Sequence, residues 1–586
     1  MNDNAKLWLN NYPEGVPPSI DYPQISLYEF LERSASKFPN NNALIFFGNK
    51  IKYRDLLKSV DAFAGALKNL GLSKGDRLSI MLPNSPQMVI AYYAALKIGA
   101  IVVQTNPLYK EKELSHQLED SGAETIVCLD LVYNNVKKVL PNTKLKNIIV
   151  TAIKDYLPFP LNLIYPLKQK KEGQKPDVPK NDDFFWFKDL INLEKSADKA
   201  NIDPDEDVAL LQYTGGTTGL PKGTMLTHKN LVSNTMQVSS WVPDIEEGKE
   251  VLMGALPFFH VYGMTVGMNL AVYNSSPLVL VPRFDVDQVM KQIQKYKVTL
   301  FPGAPTMYVA VINHPKVKNY DLSSIKACIS GAAPLPVEVQ KQFESLTGGK
   351  LVEGYGLSEA SPVTHANPLY GVRKEGSIGF PMPDTECKLI DADSGEEVTL
   401  GERGELVVSG PQVMKGYWNM PGETSNVLSS RWLYTGDIAV MDEEGYFYIV
   451  DRKKDVILTG GFSVFPRDVE EVLYQHPAIE EAAVVGVSDE YKGETVKACI
   501  SVKEGEEVTK EEIRKFCKEQ LAPYKVPKVV EFMDELPKTL VGKISRRMLT
   551  GQEVESFDSQ KKENESDENE REEQGQEEIE KKEEVN

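Results

Sequence analysis

Apolar runs only three to five residues long recur through the first 330 residues of this chain, and that recurrence limits what it can fold into more than any other feature. Leu78–Leu82, Ile101–Val103, Thr125–Leu129, Ile148–Val150, Val208–Leu211, Leu278–Val281, Val298–Phe301 and Ile325–Ile329 are such runs. Each suits a strand buried on both faces and is too short for a buried helix. Between them lie stretches with helical spacing. Leu27, Phe30, Leu31, Ala35 and Phe38 share one helical face behind a Ser26 cap, and Arg54–Leu70 repeats the pattern and stops at Gly71. Strands alternating with helices predict α/β layers around a largely parallel sheet.

The rhythm breaks twice. Residues 155–182 are Pro-rich, then aromatic and basic, and are expected to form a long surface excursion. After about residue 385 the texture becomes short strands with Gly turns, as in Gly404–Ser409 and Tyr446–Val450. A compact α+β unit is expected after Asp451. Its strands are Ala482–Val487 and Val496–Val502, and Thr509 with Glu512 three residues on marks a capped helix start. From about residue 549 the chain is polar and Glu-rich and is expected to be disordered. No internal repeat is evident.

With 586 residues, a single hydrophobic core is excluded. The net charge is −19, of which the 35 residues from 552 onward carry −10. No basic stripe balances this, which argues against nucleic acid as a partner. Five cysteines without CxxC spacing suit a reducing compartment rather than a disulfide framework or a zinc site. Met1–Ile20 has no apolar core of a signal peptide, and Met88–Val103 is too short and too charged, at Lys97, for a membrane span. These features predict a cytoplasmic protein. In 155–172, Leu157, Phe159, Leu161, Leu163, Ile164 and Tyr165 precede Lys168, Lys170 and Lys171, which leaves a peripheral contact with the inner face of the membrane open beside a plain surface loop. A homodimer is equally open.

The densest chemical signal is Tyr213-Thr214-Gly215-Gly216-Thr217-Thr218-Gly219-Leu220-Pro221-Lys222-Gly223. Glycines permit a tight loop with inward N–H groups, threonines add hydroxyl donors, and Lys222 adds charge, so the loop can cradle a polyphosphate. It is not a Walker A loop, because Pro221 precedes the lysine and no helix can start there as that motif requires. Pro302-Gly303-Ala304-Pro305, Ser330-Gly331-Ala332-Ala333 and Glu353-Gly354-Tyr355-Gly356-Leu357-Ser358-Glu359 are expected to be loops at strand ends and to gather around one crevice. There Tyr355 can stack on a base and Glu359 can hold a magnesium ion that carries phosphates.

YTGGTTGLPKG, EGYGLSEA, YTGD (Tyr434–Asp437), DRKKD (Asp451–Asp455) and GKISRR (Gly542–Arg547) occur in that order. In this the chain resembles the adenylate-forming superfamily of acyl-CoA synthetases, adenylation domains and luciferases from about residue 25 to 548. MKGYWNMPGET (414–424) and the segment Trp432–Glu471 are most similar to bacterial long-chain fatty-acid–CoA ligases. The resemblance implies a large N-terminal domain over 1–451 with mixed and parallel sheets, a hinge over 452–455 centred on Lys454, a small mobile α+β domain over 456–548, and an acidic tail over 549–586. It implies that Thr214, Gly215, Gly216, Thr217, Thr218, Gly219 and Lys222 bind ATP phosphates. Gly331, Ala332, Ala333, Glu353, Gly354, Tyr355, Gly356 and Ser358 would surround adenine. Asp437 and Arg452 would serve the ribose, Thr214 and Glu359 the magnesium, and Lys543 would be the catalytic cation at the carboxylate and α-phosphate. His260, Gly303, Gly460, Gly461 and Phe462 would line the acyl and coenzyme A tunnel. Without the resemblance, His260 in Pro257–Gly263 is equally a satisfied histidine in an aromatic cluster. Ser358, Ser463, Phe465 and Gly216 are mild departures from the family pattern.

The implied reaction is activation of a fatty acid by ATP as acyl-AMP, then transfer to coenzyme A. The alternatives are an acyl-AMP ligase, a ligase for a shorter or aromatic acid, and a silent lipid or nucleotide binder. Intact Lys543, Asp437 and Glu359 weigh against the last.

Overall fold

The computed structural model describes residues 6–171, 176, 178, 184–193, 196–214, 221–391, 394–459, 462–489, 493–503, 505–538 and 544–550. Two compact units divide the chain at Lys454–Asp455.

The large unit is layered around an eight-stranded sheet. Its strands Val208–Thr214, Ile101–Gln104, Arg77–Met81, Thr125–Leu129, Asn147–Thr151 and, at one edge, Phe185–Trp186 are all parallel. Lys222–Thr227 and Gly416–Tyr417 complete one edge. The apolar stretch that begins at Met88 forms the buried helix Pro86–Lys97, capped by Ser85, whose Oγ accepts from Met88 N at 3.3 Å. Lys97 at its end pairs with Asp61 at 2.5 Å. No helix among the described residues is long and apolar enough to cross a membrane.

A second sheet sets Asn42–Phe46 and Leu252–Gly254 parallel to Leu278–Leu280. A third places Ala327–Ser330 parallel to Lys350–Gly356, followed by the antiparallel strands Val363–Ala366 and Phe380–Pro381. Val298–Phe301, expected as a strand, is not one. Its one bridging residue, Leu300, pairs with Leu252 on one side and Ala327 on the other, with Met253 N donating to Leu300 O at 2.9 Å and Phe301 N to Ala327 O at 3.1 Å. Glu353–Gly356, expected as a loop, instead continues the strand Lys350–Gly356. An antiparallel sheet of Glu386–Ile390, Gly404–Ser409, Trp432–Met441, Leu428–Ser429 and Phe447–Arg452 completes the unit. The excursion at 155–182 also differs from a loop: Leu161–Lys171 is a helix, with Pro166 inside it.

The small unit has its own core of Ile457, Val464, Val469, Leu473, Val484, Ile500, Ile513 and Cys517. The long hairpin Ile479–Asp489 with Gly493–Val502 is packed by the helices Pro466–Tyr474 and Lys510–Gln520. Thr509 caps the second helix as predicted: its Oγ1 accepts from Glu512 N at 3.2 Å, and Glu512 Oε2 accepts from Thr509 N at 2.8 Å. Arg546 binds Asp455 at 3.0 Å and Glu470 at 2.8 Å.

Asn84 joins two sheets of the large unit. Its buried amide donates to Gly254 O at 2.9 Å and Leu256 O at 2.7 Å, and accepts from Phe258 N at 2.8 Å. Asn84→Ala strands Leu256 O and Phe258 N, while Gly254 O keeps Val281 N at 3.1 Å, and is expected to lower stability by roughly 2 kcal/mol in denaturant titration. A loss below about 1 kcal/mol would remove Asn84 from this role.

Candidate active site

The site grows from the ends of the strands Ala327–Ser330 and Lys350–Gly356. Past Ser330 the chain turns through Gly331, Ala332 and Ala333, with Ala332 left-handed at φ 71°, a strained conformation for a residue with a Cβ. Tyr262 lies beneath this turn. Its hydroxyl donates to Ile329 O at 2.7 Å and lies 3.2 Å from Gly303 O. A Cβ at position 331 would meet Tyr262 Cζ at 2.8 Å, so only glycine permits the approach. Gly303 N donates to Ile329 O and Gly331 N donates to Gly303 O, both at 3.1 Å. The Gly303 and Gly331 segments are therefore laced together.

Tyr355, on the neighbouring strand, donates its hydroxyl to Asp437 Oδ2 at 2.5 Å. Burial and the Asp437 carboxylate push this phenol well above its ordinary range. Asp437 pairs in register with Arg452, and Arg452 Nε reaches Asp437 Oδ1 at 3.2 Å. Both carboxylate oxygens of Asp437 are thus held. The turn before it is fixed as well: Gly436 N donates to Glu405 Oε1 at 3.1 Å, and Lys453 reaches the other Glu405 oxygen at 3.0 Å. Lys453 N donates to Gly436 O at 2.9 Å.

Glu353 Oε2 accepts from Leu335 N at 3.2 Å. Gly354 and Gly356 lie within the strand, where a Cβ on Gly356 would fall 2.0 Å from Pro362 O. Ser358 and Glu359 form a short 3-10 turn, and Glu359 Oε1 accepts from Tyr417 Oη at 2.8 Å. Tyr417 pairs with Thr224 on the strand Lys222–Thr227, which ties Glu359 to the sheet that ends in Thr214. Thr214 is the last residue of its strand and Lys222 the first of the next; both are half-buried. Gly215, Gly216, Thr217, Thr218 and Gly219 lie outside the described residues, as do Gly460, Gly461, Lys543 and the tail from 551. In the small unit Phe462 is exposed and stacks on Tyr524, with centroids 4.6 Å apart. His260 caps the helical segment that starts at Val261, its Nδ1 accepting from Tyr262 N at 3.3 Å. Met264–Asn269 in that segment is π-helical, a local form frequent at functional sites.

The structure thus assembles Tyr355, Asp437 and Arg452; Gly303 and Gly331; and Glu359 with the edge of the main sheet. Tyr262 and Tyr417 organise two of these groups and were not singled out in the sequence. Both stand inside segments that were, 257–263 and 414–424, but their partners are remote in the chain.

The profile of the AMP-binding enzyme family matches residues 31–418, and that of the AMP-binding enzyme C-terminal domain matches 468–543. The chain belongs to the AMP-binding enzyme family. Within the family it is 50% identical over 555 residues to a long-chain-fatty-acid–CoA ligase of Bacillus subtilis (strain 168), covering 94% of this chain and 99% of that one. It is 40% identical to a protein of the same name from Escherichia coli O6:H1, covering 95% and 100%. The crystal structure of ATP-bound MatB from Rhodopseudomonas palustris superposes with a TM-score of 0.78 at 27% identity, over 91% of this chain and 100% of that one.

Two imidazoles of this AMP-binding enzyme are buried and neutral. His365 sits 3.0 Å from Thr364 Oγ1 and packs edge-on against Tyr355 and Phe447, and burial pulls its pKa down to about 3. His228 accepts from Leu27 N at 3.1 Å, and burial lowers it to about 4. Unfolded, each takes up a proton near pH 6.5, while folded it does not until pH is far lower. Stability is therefore complete above pH 6.5 and is lost as pH falls below it, by on the order of 2 kcal/mol for each histidine at pH 5. His365→Gln should show a shallower loss between pH 7.5 and 5 in denaturant midpoints. An unchanged slope would show that His365 protonates in the folded protein.

Proposed function

We propose that this protein is an AMP-forming ligase that joins a long-chain fatty acid to coenzyme A. The observation that carries the reading is the Asp437 carboxylate, gripped at both oxygens by Tyr355 and Arg452. A rigid carboxylate beside a Tyr ring and a glycine turn suits the vicinal hydroxyls and base of a nucleoside. In the first step the fatty carboxylate oxygen attacks the α-phosphorus of ATP, and the bond to pyrophosphate breaks. In the second the thiol sulfur of coenzyme A attacks the acyl carbon, AMP leaves, and the thiol proton is released. The two anions of the first step repel, so preorganised cations and N–H donors do most of the work. We assign Lys543 that role at the reacting oxygens, and Lys222 with residues 214–219 the outer phosphates.

Magnesium fits the donor set. Among the described residues no Lys or Arg pairs with Glu359, and its carboxylate with the Thr214 hydroxyl offers hard oxygen ligands to a cation bound mainly by phosphates and water. The ion would supply charge neutralisation at the phosphates. Five free cysteines suit a cytoplasmic setting. Lys454 is assigned as the hinge that exchanges Lys543 for Gly460, Gly461 and Phe462 between the two steps.

AMP release is expected to require both a long-chain acid and coenzyme A in a series from acetate to oleate with benzoate added. Release with no acid of the series, or greatest with aromatic acids, would overturn the substrate assignment. Asp437→Ala should lower kcat/KM for ATP by roughly a hundredfold or more. Lys543→Ala should abolish adenylate formation yet spare thioester formation from supplied acyl-AMP, and equal loss of both steps would contradict its role.

A further inference from the structure

The helix Leu161–Lys171 is built inside out. Its inward side is Asn162, Tyr165 and the buried Gln169, spaced at i, i+3 and i+7. Its outward side carries Leu163, Ile164 and Leu167, and Leu163 and Leu167 are 65% and 69% exposed. Phe159, just before the helix, is 80% exposed. A surface helix ordinarily does the reverse, turning its apolar stripe to the core. Here four large apolar side chains project together into solvent, as happens where another apolar phase covers them.

The charge around the patch is equally one-sided. Residues 156–171 contain no Asp or Glu, in a chain of net charge −19; Asp155 and Glu172 bound the segment, and the Asp155 carboxylate is engaged by Ala152 N at 3.0 Å. Lys168, Lys170 and Lys171 are exposed in the last turn, and Lys154 is exposed just upstream. Long lysine stems lie along apolar surface while their ammonium groups reach a polar boundary. A second copy of the chain would bring the same three lysines against each other, with carboxylates only at the ends of the segment, Asp155 and Glu172. An anionic lipid surface supplies both an apolar phase for the leucines and opposite charge for the lysines.

We propose that residues 159–171 are a docking surface for anionic phospholipid bilayers, with Phe159, Leu163, Ile164 and Leu167 entering the acyl boundary and the lysines at the headgroups. The docking rests on this segment alone. Its purpose, taking an insoluble acid from the bilayer, rests on the proposed ligase activity.

The test is co-sedimentation of the full chain with vesicles of phosphatidylcholine alone and of phosphatidylcholine mixed with phosphatidylglycerol. Binding is expected to the mixed vesicles and to weaken with salt. The double variant Leu163→Ser/Leu167→Ser and the triple variant Lys168→Glu/Lys170→Glu/Lys171→Glu should each reduce the bound fraction by about tenfold. All five positions are exposed, so folding is expected to be unchanged. Equal binding to neutral vesicles, or variants that bind like the wild type, would overturn the proposal. So would a wild-type dimer in sedimentation equilibrium that the Leu163→Ser/Leu167→Ser variant loses, because the patch would then be covered by a second copy. Vesicle binding without AMP release from any acid would leave the docking intact and remove only its purpose.

Discussion

The bond from the Tyr355 hydroxyl to the Asp437 carboxylate ties together, at the site, two sheets that also meet through the backbone bridge between Gly379 and Phe447. Tyr355 belongs to the strand paired with Ala327–Ser330, and Asp437 to the antiparallel sheet built on Trp432–Met441. A nearly buried carboxylate is costly unless its charge is met, and Arg452 meets it from the adjacent strand. The remaining parts of the site follow from this junction. Tyr355 packs edge-on against His365, which packs against Phe447, and the same stretch of chain carries Glu353, which accepts from Leu335, and Glu359, which accepts from Tyr417. Neutrality of His365 follows from its burial in the same packing.

Period and punctuation made much of the fold legible. Thr125–Leu129 and Gly404–Ser409 are strands over the residues their apolar patterns mark, and the Thr509 cap is where its hydroxyl and Glu512 put it. The misreadings have physical causes. Lys350–Gly356 is rich in glycine, which ordinarily marks a turn, yet its glycines serve close packing: a Cβ at 354 would strike Ile329, and one at 356 the carbonyl of Pro362. Val298–Phe301 has strand composition and is bonded on both sides, but it pairs through the single bridging residue Leu300 and forms no continuous ladder. The helix Leu161–Lys171 escaped because its apolar stripe faces outward and Pro166 interrupts it.

In the site, residue types were legible and partnerships were not. Acidic and aromatic residues in short conspicuous motifs marked Asp437, Tyr355 and Glu359. Nothing in a linear pattern pairs Tyr355 with a carboxylate 82 residues away, or Tyr262 with a carbonyl 67 residues away. These bonds arise from strand order, and strand order depends on crossovers that periodicity does not specify.

Strand order also constrains where the backbone can turn between the two units. The strand that delivers Arg452 is locked in register against Asp437, and the next residue is held twice, Lys453 N by Gly436 O and its ammonium by Glu405. On the other side Asp455 is held by Arg546, which also grips Glu470 inside the small unit. Lys454 lies between these two sets of bonds, which is the ground for the hinge proposed there. Torsional change at Lys454 would leave the Tyr355–Asp437–Arg452 grip untouched, whereas change one residue earlier would break the Lys453 bonds that hold the turn before Asp437. Under the proposed two-step reaction, a hinge at Lys454 would leave the Tyr355–Asp437–Arg452 grip in place between the steps.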